Sequence, residues 1–342
     1  DGSEPPPPSL AYLISGSSND SGQMVRLLHA IYHPKNQYLL RLDGSATQKD
    51  RESLAVVVQS VPLFWALQNV HVVGKADSAA PANGEGPSAL SSTLHGASLL
   101  LHVSSNWDWL INLHADCYPL VTQDDLLHIL SYLPKDLNFI KHSSYIGWRE
   151  SGKLKPIIVD PGLYNADKRS TYTFFATQKR ALPDAFRLFS GHPTAVLSRG
   201  FVEYCIAAAE DNLPRTLLMY LTNTPVSSAL YFPTLACNSP GFNRTAVDHA
   251  FQVSRGADGF DGLILSGAAF ASPFGDGDGP VLDRIDREIL RRRSGGGGPA
   301  PGGWCLDGES GCRVLGDAEV LVPGPGAGRL QAGLVRTLSN ST

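Results

Sequence analysis

The N-terminal part of the chain alternates short apolar runs with apolar residues at helical spacing. Leu10–Ile14 is an apolar run that leads into small polar residues, which predicts a strand followed by a turn. Residues 24–31 then place apolar side chains at the i, i+3, i+4 and i+7 positions of one helix face, and Pro34 marks the end of that helix. Tyr38–Leu42 predicts a second strand, which delivers Asp43 at its carboxyl end.

The same alternation continues further along the chain. Val70–Val73 and Trp109–Leu113 predict two more strands, and Leu94–Val103 predicts a helix between them. Thr122 with Asp125 three residues later resembles a capping box, which indicates the start of another helix. Strands that alternate with helices are typical of a parallel sheet covered by helices, so the pattern predicts an α/β fold with an open, twisted, mainly parallel sheet.

The second half of the chain is less regular. Ile157–Val159 and Ala195–Ser198 predict strands, and residues 200–209 predict a helix. Residues 282–289 predict a late amphipathic helix with two acid–base pairs at i, i+4 spacing, Asp283 with Arg287 and Glu288 with Arg292. Segments 76–88 and 294–303 are rich in Ala, Gly, Ser and Pro, which is typical of flexible loops. We therefore expect a Pro-rich stalk remnant over residues 1–9, one α/β domain over 10–293 and a C-terminal appendage over 294–342.

Composition excludes several classes of protein. The 342 residues are 42% hydrophobic and 18% charged, which suits a globular core and not a disordered chain. A formal net charge of −4 lacks the basic footprint of a nucleic-acid-binding protein. No apolar run approaches the roughly 18–20 residues that span a bilayer. A membrane anchor is therefore expected only N-terminal to Asp1, outside this sequence.

The five cysteines are compatible with disulfides and not with a zinc site, because none lies in a C-x-x-C pair or at zinc-ligand spacing. Cys305 and Cys312 bracket a short Gly/Asp-rich loop, which suits a local disulfide. Cys205 and Cys237 are candidates for a second bridge, which leaves Cys117 without a partner. Three N-x-[ST] sequons, at Asn19, Asn243 and Asn340, also favour an oxidising compartment.

Candidate site residues follow the predicted strands, because ligands in open α/β sheets bind outside the carboxyl ends of the strands. Residues 15–18, Asp43 and residues 114–117 lie there. A carboxylate such as Asp43 or Asp116 can accept hydrogen bonds from ribose hydroxyls or from the uracil edge of a nucleotide. Turn or cap roles are the alternative for both carboxylates. His114 and His249 are candidate acid/base groups, with a structural role as the alternative.

Several familiar motifs are missing from the sequence. Neither G-x-G-x-x-G after the first strand nor G-x-x-x-x-G-K-[ST] occurs, so Rossmann and P-loop sites have no support. A G-x-S-x-G elbow is also missing, which disfavours a serine hydrolase. The D-x-D at Asp276–Asp278 lies in a Gly-rich stretch and is interpreted as a solvated loop.

Longer phrases resemble a known family. The chain is similar to the plant branch of the core-2/I-branching N-acetylglucosaminyltransferase-like family, and more narrowly to the β-glucuronosyltransferases that act on arabinogalactan proteins. The similarity extends over roughly residues 10–342. The phrases that carry it are LAYLISG (10–16), AIYHPKNQYLLRLD (30–43), DWLINLHADCYPLVTQDDL (108–126), IIVDPGLY (157–164), FRLFSG (186–191), LPRTLLMYLTN (213–223) and PGGWC (301–305).

The resemblance implies a GT-A-type fold, a type II membrane protein of the Golgi lumen, and inverting transfer of glucuronic acid from UDP-glucuronic acid to galactan side chains. It also implies a nucleotide-sugar donor site that requires no metal and no other cofactor. Carried over by position, Ser15, Gly16 and Asp43 hold the uridine, and Ser190 and Gly191 lie beside the transferred sugar and the acceptor.

Departures from the family pattern fall on the expected chemistry. The expected Asp of the S-A-S-D-Y-P-L stretch falls at Cys117, with Asp116 one residue earlier. The S-G-S-A-W stretch reads Ser-Gly-His-Pro-Thr over residues 190–194. Ala229 takes the place of the expected catalytic Glu, and Ser272–Pro273 takes the place of the expected basic residue.

An inverting transfer needs a carboxylate that deprotonates the acceptor hydroxyl and positive charge at the leaving diphosphate. Asp116, Glu210 and Asp211 are candidate substitutes for the missing carboxylate, and Arg255 is a candidate for the charge. Two hypotheses stay open at this point: an active glucuronosyltransferase with a relocated base, and a catalytically impaired pseudoenzyme or binding module of the same family. A secreted hydrolase would need a nucleophile–base pair that the sequence does not offer.

Overall fold

The computed structural model describes residues 5–74, 85–147, 151–152, 154–164, 173–207, 212–249, 251–256, 259–292, 297–308 and 311–339. The strands are β1 (Leu10–Gly16), β2 (Gln37–Leu42), β3 (Val70–Val72), β4 (Trp109–His114), β5 (Tyr118–Pro119), β6 (Asn138–Phe139), β7 (His142–Ser143), β8 (Pro156–Val159), β9 (Phe174–Lys179), β10 (Ser190–Gly191), β11 (Val196–Ser198), β12 (Ala246–Val247), β13 (Gln252–Ser254) and β14 (Phe270–Ser272). The helices are α1 (Ser21–Ala30), α2 (Gln48–Gln59), α3 (Pro62–Leu67), α4 (Pro87–Val103), α5 (Gln123–Ser131), α6 (Pro161–Tyr164), α7 (Arg199–Ala207), α8 (Asn212–Leu221), α9 (Ser227–Asn238), α10 (Gly259–Leu265), α11 (Gly279–Glu288) and α12 (Pro325–Ser339).

A seven-stranded sheet in the order β12-β6-β11-β4-β1-β2-β3 forms the centre of the fold. Strands β4, β1, β2 and β3 run parallel, and β12 runs parallel to β6. Strand β11 is antiparallel to both of its neighbours. The predicted mainly parallel α/β sheet is therefore confirmed. From β1 the chain continues to β2 and β3 on one side of the sheet. It then returns to β4 on the other side of β1, so the strand order reverses at β1.

Strand β1 is buried on both faces, which explains why its sequence is a continuous apolar run and not an alternating one. Tyr12 and Ile14 pack into the core under one face of the sheet. Ala11 and Leu13 pack into the core under the other face. The two cores are covered by different helices, so the sheet is the middle layer of three.

Local signals fix several helix starts. Thr47 with Asp50 forms a capping box at the start of α2, and Thr122 with Asp125 forms the predicted capping box at the start of α5. Helix α4 begins at Pro87, earlier than the predicted start at residue 94, so the loop predicted over 76–88 ends sooner than expected. Pro87 suits the first helical turn, and the Ser88 N–H donates to the Asp160 carboxylate at 2.9 Å.

The ion pair predicted between Glu288 and Arg292 on the late helix is wrong, and Asp283 has a partner on another element. In α11, Arg284 pairs with Glu288 at i, i+4 spacing. Asp283 instead binds Arg26 of α1, and Arg292 binds Asp286. Spacing along one helix cannot reveal a partner on another element, such as Arg26 of α1 for Asp283.

Only one of the two predicted disulfides forms. Cys305 and Cys312 are joined, whereas Cys205 and Cys237 are free thiols. Cys205 lies in the core on α7, where the Tyr231 hydroxyl of α9 donates to its carbonyl at 3.1 Å. Tyr231, and not Cys237, is therefore the residue of α9 that faces Cys205.

The C-terminal segment packs against α5 and the edge of the core, with Trp304 and Leu330 buried. Its backbone is held by two buried carboxylates of α5, Asp124 and Asp125. Within the described residues, no helix combines the length and the apolar character needed to cross a membrane.

Candidate functional site

The predicted site residues meet where the strand order reverses. Ser15 of β1 lies between Arg41 of β2 and His114 of β4 in the parallel register. The Asp43 N–H donates to the Gly16 carbonyl at 2.8 Å, and the Ala115 N–H donates to the Ser15 carbonyl at 2.8 Å. The backbone therefore brings residues 15–16, Asp43 and residues 114–116 to one edge of the sheet, as the sequence predicted.

Gly16 is required by packing against α1. A Cβ at this position would lie 2.7 Å from Met24 Sδ and 2.9 Å from Asp20 Cβ. The Asp20 carboxylate in turn accepts hydrogen bonds from the N–H and the hydroxyl of Ser17, at 2.6 and 2.7 Å. This turn fixes the small residues that follow β1 and leaves Ser15 half-buried at the edge.

Asp43 closes a turn at the end of β2. Its Oδ1 accepts hydrogen bonds from the N–H of Ser45, at 2.9 Å, and from the Ser45 hydroxyl. Buried Arg51 donates to the Asp43 carbonyl and so fixes the backbone at this position. The turn role that the sequence left as an alternative is therefore present, and the half-buried carboxylate still lies at the strand edge.

His114 and Asp116 form an ion pair at the end of β4. The His114 Nδ1 lies 3.0 Å from the Asp116 Oδ1. The hydrogen bond that His114 donates to Asp116 is the largest cause of a raised His114 pKa; burial acts against it, and the charges of Asp116, Asp20 and Asp43 act with it. Burial raises the pKa of Asp116, but the hydrogen bond and charge of His114 outweigh it, so the net shift is downward. Four ionisable side chains from three segments thus share one electrostatic environment.

Cys117, which stands where the family pattern has Asp, faces the core. Burial, with the Asp116 charge, raises the pKa of its thiol to about 12, so the thiol is protonated and unreactive at neutral pH. His114 and Asp116 lie on the exposed side of this segment, whereas Ala115 and Cys117 are buried. Asp116 is therefore the carboxylate at the end of β4 that is accessible from solvent.

Arg255 lies close to this edge, but its charge is already paired. The Phe274 N–H donates to the Asp116 carbonyl at 2.9 Å. The Arg255 guanidinium lies 5.5 Å from the centre of the Phe274 ring and forms an ion pair with Asp278. Hydrogen bonding to Arg255 is the main cause of a lowered Asp278 pKa. The D-x-D of residues 276–278 is therefore a short turn in which Asp276 and Gly277 are exposed, as the predicted solvated loop requires, while Asp278 binds Arg255.

Ser190 and Gly191 form β10, which pairs with β7 and packs on α9. A Cβ at Gly191 would collide with the Lys141 carbonyl oxygen and would lie 3.1 Å from Pro233 Cγ. His192 follows directly and is exposed. Burial of its ring lowers the pKa of His192, while the charges of Glu85 and Asp116 act to raise it. His192 therefore lies within the electrostatic influence of both the β4 edge and the start of α4.

The position of the missing carboxylate is the first turn of α9, which contains no acidic residue. Ala229 is half-buried there. Two of the three candidate substitutes, Glu210 and Asp211, lie outside the described residues. The third, Asp116, is bound to His114 at the end of β4.

Comparison with known proteins decides the family. The family model of the Core-2/I-branching enzyme matches residues 10–255. The chain is 45% identical over 345 residues to β-glucuronosyltransferase GlcAT14A of Arabidopsis thaliana, covering 96% of this chain and 75% of the relative. GlcAT14B of the same plant is 45% identical over 348 residues, covering 96% and 78%. GlcAT14C is 45% identical over 294 residues, covering 83% and 74%.

The chain belongs to the Core-2/I-branching enzyme family. Its resemblance to the plant glucuronosyltransferases is confirmed, and the α/β architecture is the GT-A-like fold of this glycosyltransferase family. Two of the phrases that carry the resemblance, residues 10–16 and 108–126, contain β1 and β4, which are neighbours at the centre of the sheet.

Two side chains close to the candidate site, His192 and Glu85, had no clear signal in the sequence. His192 stood out only as a departure from the family phrase. Glu85 lies at the end of a segment that composition assigned to a loop, and its proximity to α9 depends on contacts far apart in sequence. His249, a candidate acid/base group, is structural instead: its Nδ1 accepts the Phe251 N–H at 2.9 Å, and burial lowers its pKa.

Metal-ligand side chains do not gather at the strand edge. Within the parts of the chain that the structure describes, Cys305, Asp307 and Cys312 form the one group whose ligand atoms lie close together. The two sulfurs of this group are joined in the disulfide, so they do not fit a metal. The requirement for a metal is therefore left to experiment.

Proposed function

We propose that this chain is an inverting β-glucuronosyltransferase that moves glucuronic acid from UDP-glucuronic acid to galactan side chains of arabinogalactan proteins. The observation that carries the proposal is the 45% identity over 96% of the chain to a plant protein named β-glucuronosyltransferase. A nucleotide-sugar donor and a glycan acceptor are its partners, and no nucleic acid and no divalent metal or other cofactor take part.

Ser15, Gly16, Asp43 and Asp116 form the donor side of the proposed site. Their common position at the point where the strand order reverses supports this role, because nucleotides bind at such points in open α/β sheets. Ser190 and Gly191 form the acceptor side. In the proposal the protein works in the Golgi lumen as a type II membrane protein, with its anchor N-terminal to this sequence. The exposed sequon residues Asn19 and Asn243 are in keeping with that compartment.

A catalytically impaired member of the same family is the second candidate, and two observations favour it. The first turn of α9 has no carboxylate, and Ala229 cannot take a proton from an acceptor. Asp20, Asp43 and Asp116 lie around His114 at the edge of the sheet, while Arg255 is paired with Asp278. This balance of charge opposes the developing charge of a leaving diphosphate.

Calorimetric titration with UDP-glucuronic acid and UDP-N-acetylglucosamine, followed by product analysis on β-galactan oligomers, tests the proposal. We expect selective binding of UDP-glucuronic acid and a glucuronidated product without added metal. Replacing Asp43 with Asn should weaken donor binding about 10- to 150-fold, because a hydrogen bond to a charged acceptor contributes on the order of 1.5–3 kcal/mol. The exposed Asp136, changed to Asn, is the matched control and should bind donor as the parent does.

The outcomes separate the two candidates. Donor binding without product on any galactan oligomer would favour the impaired protein. Absence of binding to either nucleotide sugar would contradict both and leave only the fold. A product that forms only after addition of a divalent cation would overturn the metal-independent part of the proposal.

A further inference from the structure

Transfer of a sugar to a hydroxyl group requires a proton acceptor beside that hydroxyl, and the first turn of α9 offers none. The inference below rests on the proposed function, and it concerns which side chain supplies the missing carboxylate. The base must lie close to Ala229 and to the strand Ser190–Gly191, against which α9 packs.

Ala229 points toward the acceptor side of the site. Residues four apart lie on the same face of a helix, so Ala229 shares its face with Pro233. Pro233 contacts Gly191, since a Cβ at Gly191 would lie 3.1 Å from Pro233 Cγ. Ala229 therefore lies one helical turn, about 6 Å, from this contact, at the N-terminal end of α9.

Glu85 is bound directly to that end of the helix. Its carbonyl oxygen accepts the Ser228 N–H at 3.0 Å and the Ser228 hydroxyl at 2.9 Å. Ser228 is the residue immediately before Ala229. Two residues after Glu85 helix α4 begins, and the Ser88 N–H is fixed by the buried Asp160. The backbone of Glu85 is thus held on both sides, while its side chain is exposed.

The neighbouring acids and bases are already engaged. Both oxygens of Asp160 accept backbone N–H groups, from Ser88 and from Gly162 at 2.9 Å each, and the side chain is buried. Asp248 binds Lys141 and the backbone N–H of His142. Neither carboxylate is available to an acceptor sugar.

His192 is also unsuited to the task, although it directly follows the strand Ser190–Gly191. Its Nδ1 accepts the Thr194 N–H at 3.1 Å, so the neutral ring carries its proton on Nε2 and has no lone pair there to accept another. The charge of Glu85 acts to raise the pKa of this ring, against the effect of burial, so the two side chains lie within electrostatic range of each other. His192 Nε2–H is in turn a donor that can orient a hydroxyl or a carboxylate.

We propose that Glu85 is the general base of this glycosyltransferase, in place of a carboxylate at position 229. A Glu85 oxygen takes the proton of the acceptor hydroxyl while the acceptor oxygen forms a bond to the anomeric carbon. The bond between the anomeric carbon and the donor phosphate oxygen breaks at the same time, and UDP leaves with the electron pair. The product glycoside is inverted, and Glu85 returns its proton to water.

The test compares Glu85→Gln with Glu203→Gln in the full chain, with donor affinity and galactan transfer measured for each. Glu203 is an exposed glutamate on α7, where it pairs with Arg199 at the surface. We expect Glu85→Gln to lower kcat about 10²–10⁴-fold while donor affinity stays within twofold. Glu203→Gln should leave both quantities unchanged. The double variant Glu85→Gln/Ala229→Glu, which returns a carboxylate to α9, should recover at least tenfold of the lost kcat.

Each result decides between the inference and its alternatives. An active parent chain whose Glu85→Gln variant keeps kcat within threefold overturns the role of Glu85 and leaves the transferase function in place. A Glu85→Gln variant that loses kcat and donor binding together also overturns it, because the residue would then act on the structure of the site. A parent chain that binds donor and transfers nothing contradicts the proposed function, and the inference fails with it.

Discussion

His114 and Asp116 act as a unit because side chains alternate at the end of β4. The two exposed residues meet at 3.0 Å, whereas the intervening Ala115 and the following Cys117 are buried. The sequence could predict that a carboxylate lies here, since that follows from strand position. It could not predict the raised pKa of His114, because two of the contributing charges, Asp20 and Asp43, arrive from other segments.

Replacing Asp116 with Asn should lower the pKa of His114, since the hydrogen bond that His114 donates to the Asp116 carboxylate is the main cause of its elevation. The pKa of His192 should fall as well, by less, because the Asp116 charge is a smaller influence there. NMR titration of the imidazole C–H signals measures both shifts. Replacing the exposed Asp317 with Asn is the control and should move neither. Unchanged titration of His114 in the Asp116 variant would disprove the pairing.

The pairing also has a pH dependence of stability with a definite sign. A histidine whose pKa is raised in the folded protein contributes stability that is complete below its unfolded pKa, ordinarily about 6.5, and is lost as pH rises through the folded value. Any contribution of this half-exposed pair is small because solvent screens it.

At the scale of elements, helix α11 is attached to the core by a buried charge cluster. Asp286 is 0% exposed and accepts hydrogen bonds from Tyr118 at 2.6 Å, from Arg26 at 2.7 Å and from Arg292 at 2.9 Å. One carboxylate thus balances two guanidinium groups and connects α1, β5 and the end of α11. The apolar spacing of this helix was visible in the sequence, whereas the three-element cluster was not.

Removing the charge of Asp286 should therefore destabilise the protein far more than removing that of its neighbour. Asp286→Asn leaves buried Arg292 and Arg26 without their shared counterion, and we expect a loss of about 3–5 kcal/mol in urea unfolding. Asp283 also binds Arg26, but it is partly exposed. Asp283→Asn should cost about 1 kcal/mol or less. Equal losses for the two variants would contradict the cluster as the attachment of α11.

At the scale of the whole molecule, what the sequence could predict depended on the distance between interacting residues. Strand β1, helix α1 and the capping box of α5 follow from patterns within a few residues, and all three are confirmed. The contact of Glu85 with Ser228 joins residues 143 positions apart. No local pattern encodes such a contact, so the sequence assigned Glu85 to a loop and looked for the missing base near position 210 and at Asp116.

The C-terminal segment provides the last prediction, because one of the two carboxylates that hold it, Asp124, binds two separate points of its backbone. The buried Oδ2 of Asp124 accepts the Gly303 N–H at 2.7 Å and the Val322 N–H at 2.8 Å, so α5 holds two points of the segment at once. Burial raises the pKa of Asp124, and the two backbone hydrogen bonds act against that rise. Leaving both amides without an acceptor should cost about 1–3 kcal/mol for each.

Asp124→Ala should therefore open residues 297–339 locally while the sheet stays folded. We expect faster amide exchange at Gly303 and Val322 and unchanged protection in β1 and β4, measured by hydrogen–deuterium exchange. Asp124→Asn keeps an acceptor oxygen at the same position and should protect at least one of the two amides. Exchange that rises equally in β1 and in the C-terminal segment would show instead that the segment and the sheet unfold as one unit, and that Asp124 stabilises the whole protein rather than this attachment.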